Sequence, residues 1–227
     1  MQFATLNGVT LHYQVIGAPA DKPQLVFINS LGTDFRIWRD VIVRFVGEAG
    51  LVTYDKRGHG LSDVTPAPYA LNDHVDDLIA LLDHLSVKGA VLVGLSVGGL
   101  IAQSLASKRP DLVSALVLCD TGMRIGNEAI WNQRIEAIQA KGMAAIGDAV
   151  MERWFTPAFR QEQPDEVTGY RNMVTRIPMD GYTGTCAAIR DADLTEIAAT
   201  LPQPTACIVG DQDVATTPAL VAEMAKT

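Results

Sequence analysis

The sequence predicts an α/β fold: a mostly parallel sheet covered by helices on both faces, interrupted by an inserted helical cap. Three observations predict it. From Gln24 onward, short apolar runs of buried-strand type alternate with helical stretches, the spacing of parallel strands joined by helical crossovers. One of those runs reverses abruptly into a helix at Gly94-Leu95-Ser96-Val97-Gly98. Between Arg124 and Ala192, strand-like runs give way to amphipathic helical segments carrying Trp131, Trp154, Phe155 and Phe159. Residues 1–121 and 194–227 are therefore expected to form the core, and 122–193 the cap.

In chain order, Gln2 to Ile16 alternates about Asn7-Gly8 and reads as a β-hairpin. Gln24 to Ile28 is the next strand and runs into Asn29-Ser30-Leu31-Gly32. Apolar residues at helical spacing predict a helix over Phe35 to Val46, followed by a short strand over Leu51 to Tyr54. Leu71, Val75, Leu78, Ile79, Leu82 and Leu85 mark an amphipathic helix. Ala90 to Val93 and Ala115 to Leu118 are buried-type strands on either side of the helix Gly99 to Lys108. The core resumes with a strand over Thr205 to Val209, then Gly210-Asp211-Gln212-Asp213, then a final helix to Thr227.

The chemistry centres on the strand-to-helix reversal. The chain passes close to itself there, and Gly94 and Gly98 leave the room that a side chain would fill. The pentapeptide reads as a nucleophile elbow that presents the Ser96 hydroxyl above a sheet edge. A glycine-rich nucleotide turn is the competing reading, but neither G-x-G-x-x-G nor G-x-x-x-x-G-K-[ST] occurs. Acyl transfer by a serine also needs oxyanion donors, a base, and an acid that orients the base. By position, the donors are the backbone N–H groups of Val97 and of Leu31, although Asn29 to Gly32 also fits an ordinary turn. Asp213 is the expected acid, with Asp211 holding its turn through the backbone. The four histidines, His12, His59, His74 and His84, all precede Ser96, whereas the base of this arrangement follows the acid. His12, His74 and His84 are expected to be solvated side chains, and His59 structural.

Composition narrows the partners. A chain of 227 residues with 48% hydrophobic content can bury a substantial core. A net charge of −8 and a pI near 4.9 argue against nucleic acid or an anionic membrane surface as the target. Cys119, Cys186 and Cys207 lack metal-ligand spacing and are expected to be free thiols in a reducing compartment. No basic leader and no membrane-length apolar span is visible, so a soluble cytoplasmic protein is expected. No metal or cofactor motif occurs, so none is expected.

Four stretches carry a family likeness: Asn29-Ser30-Leu31-Gly32-Thr33-Asp34 with Trp38, Tyr54-Asp55-Lys56-Arg57-Gly58-His59-Gly60-Leu61-Ser62, Gly94 to Gly99, and Gly210 to Asp213. With these the chain resembles the α/β-hydrolase superfamily and, within it, the 3-oxoadipate enol-lactone hydrolases. The likeness runs over essentially the whole chain. It implies a sheet of α/β-hydrolase type and ester-ring opening by Ser96, with the oxyanion on the Leu31 and Val97 amides and Asp213 as the acid. It further implies an anionic lactone or ester substrate near Ser30, and a cationic partner near the cap. Trp131 and Arg134, three apart, would share one helix face and close the pocket with Trp154. Each tryptophan also fits cap packing, and Arg134 a solvated face. Members of the family carry a further strand, a loop with the catalytic histidine and a closing helix after the region ending at Thr227. The resemblance therefore implies a truncated form of a longer enzyme, its C-terminal strand and helix missing and its turnover impaired or absent. A general carboxylesterase, a carbon–carbon bond hydrolase of the same fold and a non-catalytic binding protein are the alternatives. A homo-oligomer stays open.

Overall fold

Asn7 and Gly8, at φ 52° and 76°, close a hairpin between β1 (Gln2–Leu6) and β2 (Val9–Ile16), as an Asn-Gly pair favours. The computed structural model describes residues 1–227. β2 pairs antiparallel with β4 (Gly50–Tyr54), and everything beyond is parallel: β3 (Gln24–Ile28), β5 (Ala90–Leu95), β6 (Val113–Cys119) and β7 (Thr205–Ile208). The seven strands lie in the order β1-β2-β4-β3-β5-β6-β7. β3 and β5 are central, so Val26, Ile28 and Leu92 are shut off from solvent on both faces. The helices α2 (Leu71–His84) and α3 (Val97–Lys108) pack on each other and present Val75, Leu78, Leu82, Leu100 and Leu105 to that core.

Two sequence expectations need correction. The helix expected over Phe35 to Val46 is a 3₁₀ turn, Phe35–Trp38, followed by the four-residue α1 (Arg39–Ile42). Trp38 and Ile42 are buried in a small cluster with Phe27, Ala49 and Leu51, and Ile37 and Val41 pack partly buried against it. Past Ile42, Val43, Phe45 and Val46 stay exposed, so no packing extends the helix there. The C-terminal helix is likewise shorter, α10 (Pro218–Met224), capped at its start by the Thr217 hydroxyl.

Between β6 and β7 the chain is helical: α4 (Glu128–Lys141), α5 (Gly147–Trp154), α6 (Pro157–Glu162), α7 (Pro164–Thr175), α8 (Met179–Asp191) and the short α9 (Thr195–Ala198). The segment expected as a cap, 122–193, holds α4 to α8 and no strand. α8 joins it to the sheet layer, with nine of its thirteen residues buried. Its small residues permit backbone contact: a Cβ at Gly181 would collide with the Gly58 carbonyl, and one at Gly184 would lie 2.8 Å from the Tyr69 ring. Tyr69 N–H donates to the Gly184 carbonyl at 3.3 Å, and Thr185 Oγ1 meets His74 Nε2 at 3.2 Å. The cap is thereby seated on the loop after β4 and on α2.

Candidate active site

At the carboxyl end of β5 the chain makes its tightest reversal. Ser96 sits at φ 56° and ψ −117°, a conformation disfavoured for any residue with a side chain. The reversal is wedged in place: a Cβ on Gly94 would strike the Gly98 carbonyl, and one on Gly98 would strike the Ile28 carbonyl of β3. The Ser96 backbone is held on both sides, its N–H donating to the Cys119 carbonyl at 2.9 Å and its carbonyl accepting from Thr121 Oγ1 at 2.7 Å. Its hydroxyl has no protein partner and the residue stays half-exposed. Val97 is the first residue of α3, where an N–H has no intrahelical acceptor.

Ile28 is in register with Gly94, so the loop after β3 emerges beside the elbow. That loop is pinned at almost every residue. Asn29 Nδ2 donates to the Tyr54 carbonyl and Asn29 Oδ1 accepts from Trp38 Nε1, both at 2.9 Å. The Ser30 carbonyl accepts from Lys56 Nζ at 2.6 Å and from Thr33 Oγ1 at 2.9 Å. Gly32 N–H donates to His59 Nε2 at 3.2 Å. Between them the Leu31 N–H makes no hydrogen bond, which leaves it available as an oxyanion donor. Ser30 itself is buried, 8% exposed.

The loop carrying Asp213 follows β7. Asp213 Oδ1 accepts from the N–H groups of Ala215 (2.7 Å) and Thr216 (3.0 Å), and Oδ2 from Thr216 Oγ1 at 2.7 Å. The turn-holding role expected of Asp211 thus belongs to Asp213, whose carboxylate reaches the amides that follow it, while Asp211 is exposed and makes no side-chain bond. β7 is two strands from β5, so Asp213 and Ser96 follow strands about 10 Å apart. Between them, at the end of β6, lies Asp120, whose Oδ1 accepts from Gly210 N–H at 2.9 Å. Burial raises the Asp120 carboxyl above the usual range, against the Gly210 bond and with help from neighbouring Asp213. No motif in the sequence marks Asp120, although it follows an apolar strand at the same edge as Ser96.

The histidines are employed elsewhere. His12, expected in solvent, is 4% exposed, sits between the Phe3 and Phe35 rings and bonds Asp55 Oδ2 through Nδ1 at 2.8 Å. With Asp55 it lines a cavity of about 340 Å³ that Ser96 does not line. His74, also expected in solvent, is completely buried against α8 and Tyr69. Both corrections have one cause: neighbours distant in sequence cover faces that local polarity marks as exposed. His59 is structural as expected. Nδ1 lies 3.2 Å from the Arg57 carbonyl and Nε2 accepts from Gly32, and burial with the nearby Lys56 charge keeps the ring neutral. His84 is exposed at the end of α2, beside Tyr13.

Above the elbow edge, Tyr182 and Trp154 lean over the loop after β3: a Cβ on Gly32 would lie 3.1 Å from the Tyr182 ring and 3.5 Å from the Trp154 indole. Trp131 is 6% exposed and its indole N–H donates to the Ile125 carbonyl at 2.7 Å, so it packs within the cap. Its ring carries the Arg134 guanidinium 4.8 Å from the centroid, the shared helix face that the spacing predicts. Arg134 has no carboxylate within 4 Å and is half-buried. Burial pushes the Cys186 thiol up to about 12 and the Cys119 thiol up to about 11, which favours the thiol over the thiolate at each.

Comparison with known proteins places this geometry. The sequence profile of the alpha/beta hydrolase fold matches residues 23–142. The chain is 34% identical over 213 residues to 3-oxoadipate enol-lactonase 2 of Acinetobacter baylyi, covering 94% of this chain and 79% of that protein. It is 33% identical to enol-lactonase 1 of the same organism, covering 93% and 79%. Among solved structures, an enol-lactonase from Burkholderia xenovorans superposes with a TM-score of 0.96 at 34% identity, over 99% of this chain and 87% of that one.

Proposed function

The chain belongs to the alpha/beta hydrolase fold family, and within it we propose a serine enol-lactonase that opens the ring of 3-oxoadipate enol-lactone to 3-oxoadipate, in the β-ketoadipate route of aromatic-compound catabolism. The observation that carries the reading is the strained, unpartnered Ser96 beside two amides without protein acceptors, in a chain a third identical to enol-lactonases. Ser96 Oγ attacks the lactone carbonyl carbon, and the oxyanion is received by the Leu31 and Val97 N–H groups. The ring C–O bond breaks as the carbonyl re-forms, the leaving enolate takes from water the equivalent of the proton that Ser96 gave up to it, and the resulting enol tautomerises to the ketone. Water then attacks the acyl-enzyme and frees the second carboxylate of 3-oxoadipate together with Ser96.

Arg134, free of protein acids and backed by Trp131, is the group we assign to the substrate carboxylate, with Trp154 and Ser30 forming the walls. Asp213 is the acid we assign to orienting a base, its partners here being Ala215 and Thr216. None of the four histidines bridges Ser96 and Asp213, so the polypeptide of these 227 residues is expected to turn over slowly, by several orders of magnitude relative to an enol-lactonase with a complete triad.

Competition between the enol-lactone and a neutral aryl ester tests the reading. A kcat/KM ratio favouring the lactone about tenfold or more, lost entirely in Ser96→Ala, is expected. Equal use of the two points to a general carboxylesterase. Lactone opening that survives Ser96→Ala rules out the serine mechanism. A rate equal to that of an enol-lactonase with a full Ser–His–Asp triad rules out the impairment.

A further inference from the structure

We propose that Lys56 is a positioning residue of the oxyanion hole, its buried ammonium holding and polarising the Ser30–Leu31 peptide so that the Leu31 N–H is presented as a strengthened donor. The inference rests on Leu31 serving that role. Lys56 is 2% exposed, yet no carboxylate lies within 4 Å of its Nζ. An ammonium taken out of water is costly and is normally matched by an acid. Here it is matched by the Ser30 carbonyl at 2.6 Å and the Thr33 carbonyl at 3.5 Å.

The Ser30 carbonyl and the Leu31 N–H are opposite ends of one planar trans peptide. Fixing the oxygen fixes the direction of the N–H, and drawing electron density toward the oxygen makes the N–H a stronger donor. Thr33 supports the same oxygen through its hydroxyl at 2.9 Å and its N–H at 3.4 Å. The two acids that face Lys56 are engaged otherwise: Asp34 pairs with Arg36, and Asp55 accepts from His12, Phe35 N–H and Leu61 N–H. The other groups around it, His59 and His74, are held neutral by burial and by the Lys56 charge itself. Burial lowers the Lys56 ammonium to about 7, against the opposing pull of Asp55 and Asp34. Its charge, and with it the polarisation, is therefore present below that pH and lost above it.

The test uses the 227-residue chain, an activated aryl ester, and the variants Lys56→Met, Lys56→Gln and Ser96→Ala. Lys56→Met should lower kcat about 10- to 100-fold with KM unchanged within twofold. Lys56→Gln, which keeps a neutral donor, should recover part of the loss. The ratio of wild-type to Lys56→Met rates should shrink as pH rises through about 7, and the Leu31 amide ¹⁵N resonance of the wild type should titrate over the same range. If Lys56→Met does not fold, Lys56→Gln carries the comparison through the same pH ratio and the same resonance. A rate that depends on Ser96 but ignores Lys56, or a Leu31 resonance flat from pH 6 to 8.5, overturns the proposal alone. A rate indifferent to Ser96→Ala overturns the serine mechanism and the role of Lys56 with it.

Discussion

Arg134 shows how one side chain becomes a candidate for binding rather than for stability. Several arginines of this chain find acids, Arg109 bonding both Asp83 and Asp111 and Arg171 bonding Asp148, while exposed Arg39, Arg44 and Arg176 do not. Arg134 instead lies on the Trp131 ring, close enough to lower the Tyr182 hydroxyl that burial otherwise raises. A half-buried guanidinium stacked on an indole loses little freedom when a carboxylate docks. Arg134→Ala should therefore weaken binding of the anionic lactone about tenfold while leaving KM for a neutral aryl ester within twofold, measured by steady-state kinetics on both substrates. Equal losses on the two would assign Arg134 to cap packing. Asp213 makes the complementary point. Three donors within four residues of chain hold both of its oxygens in one orientation.

At the scale of elements, the site is a set of strand ends. β3, β5, β6 and β7 are parallel and adjacent, so Leu31, Ser96, Asp120 and Asp213 all open at one edge without any loop having to travel far. The cap completes that edge through α8, whose seat depends on Gly58 and Gly181 having no side chains; Gly58 also needs its φ of 75°. Gly181→Ala forces a Cβ into the Gly58 carbonyl, a backbone atom that moves only with its loop. A destabilisation of about 2 kcal/mol or more is expected, read by urea unfolding, with lactone turnover lost faster than secondary structure. Unchanged stability would mean that α8 shifts freely on the core.

Over the whole molecule, buried bases set the response to acid. His59 and His74 are held neutral in the fold, burial being the main cause for each, whereas the unfolded chain binds protons there near pH 6.5. The unfolded state then holds more protons below that pH, so stability falls as pH drops, by up to about 1.4 kcal/mol per pH unit for each group. Lys56, lowered to about 7, works in the same direction at higher pH: stability rises between about 7 and 10.5 as the unfolded chain alone keeps the proton. Unfolding free energies should decline from pH 7 to pH 5, and His74→Gln should flatten that slope; equal slopes in the variant and the wild type would contradict it.

Local chemistry by itself determined the hairpin at Asn7-Gly8, the parallel strands and the elbow, because each rests on residues within a few positions: a turn pair, an unbroken apolar run, glycines flanking a serine. It also placed Leu31, Val97 and Asp213 at strand ends, since strand ends follow from strands. Only the tertiary structure decided the fate of His12 and His74, the shortness of the helix after Asp34, the packing of Trp131 and the work of Lys56 and Asp120. Those depend on which distant segment lies against a given face. Burial and hydrogen-bond partners are properties of neighbours that the chain meets only after it has folded, and no local pattern encodes them.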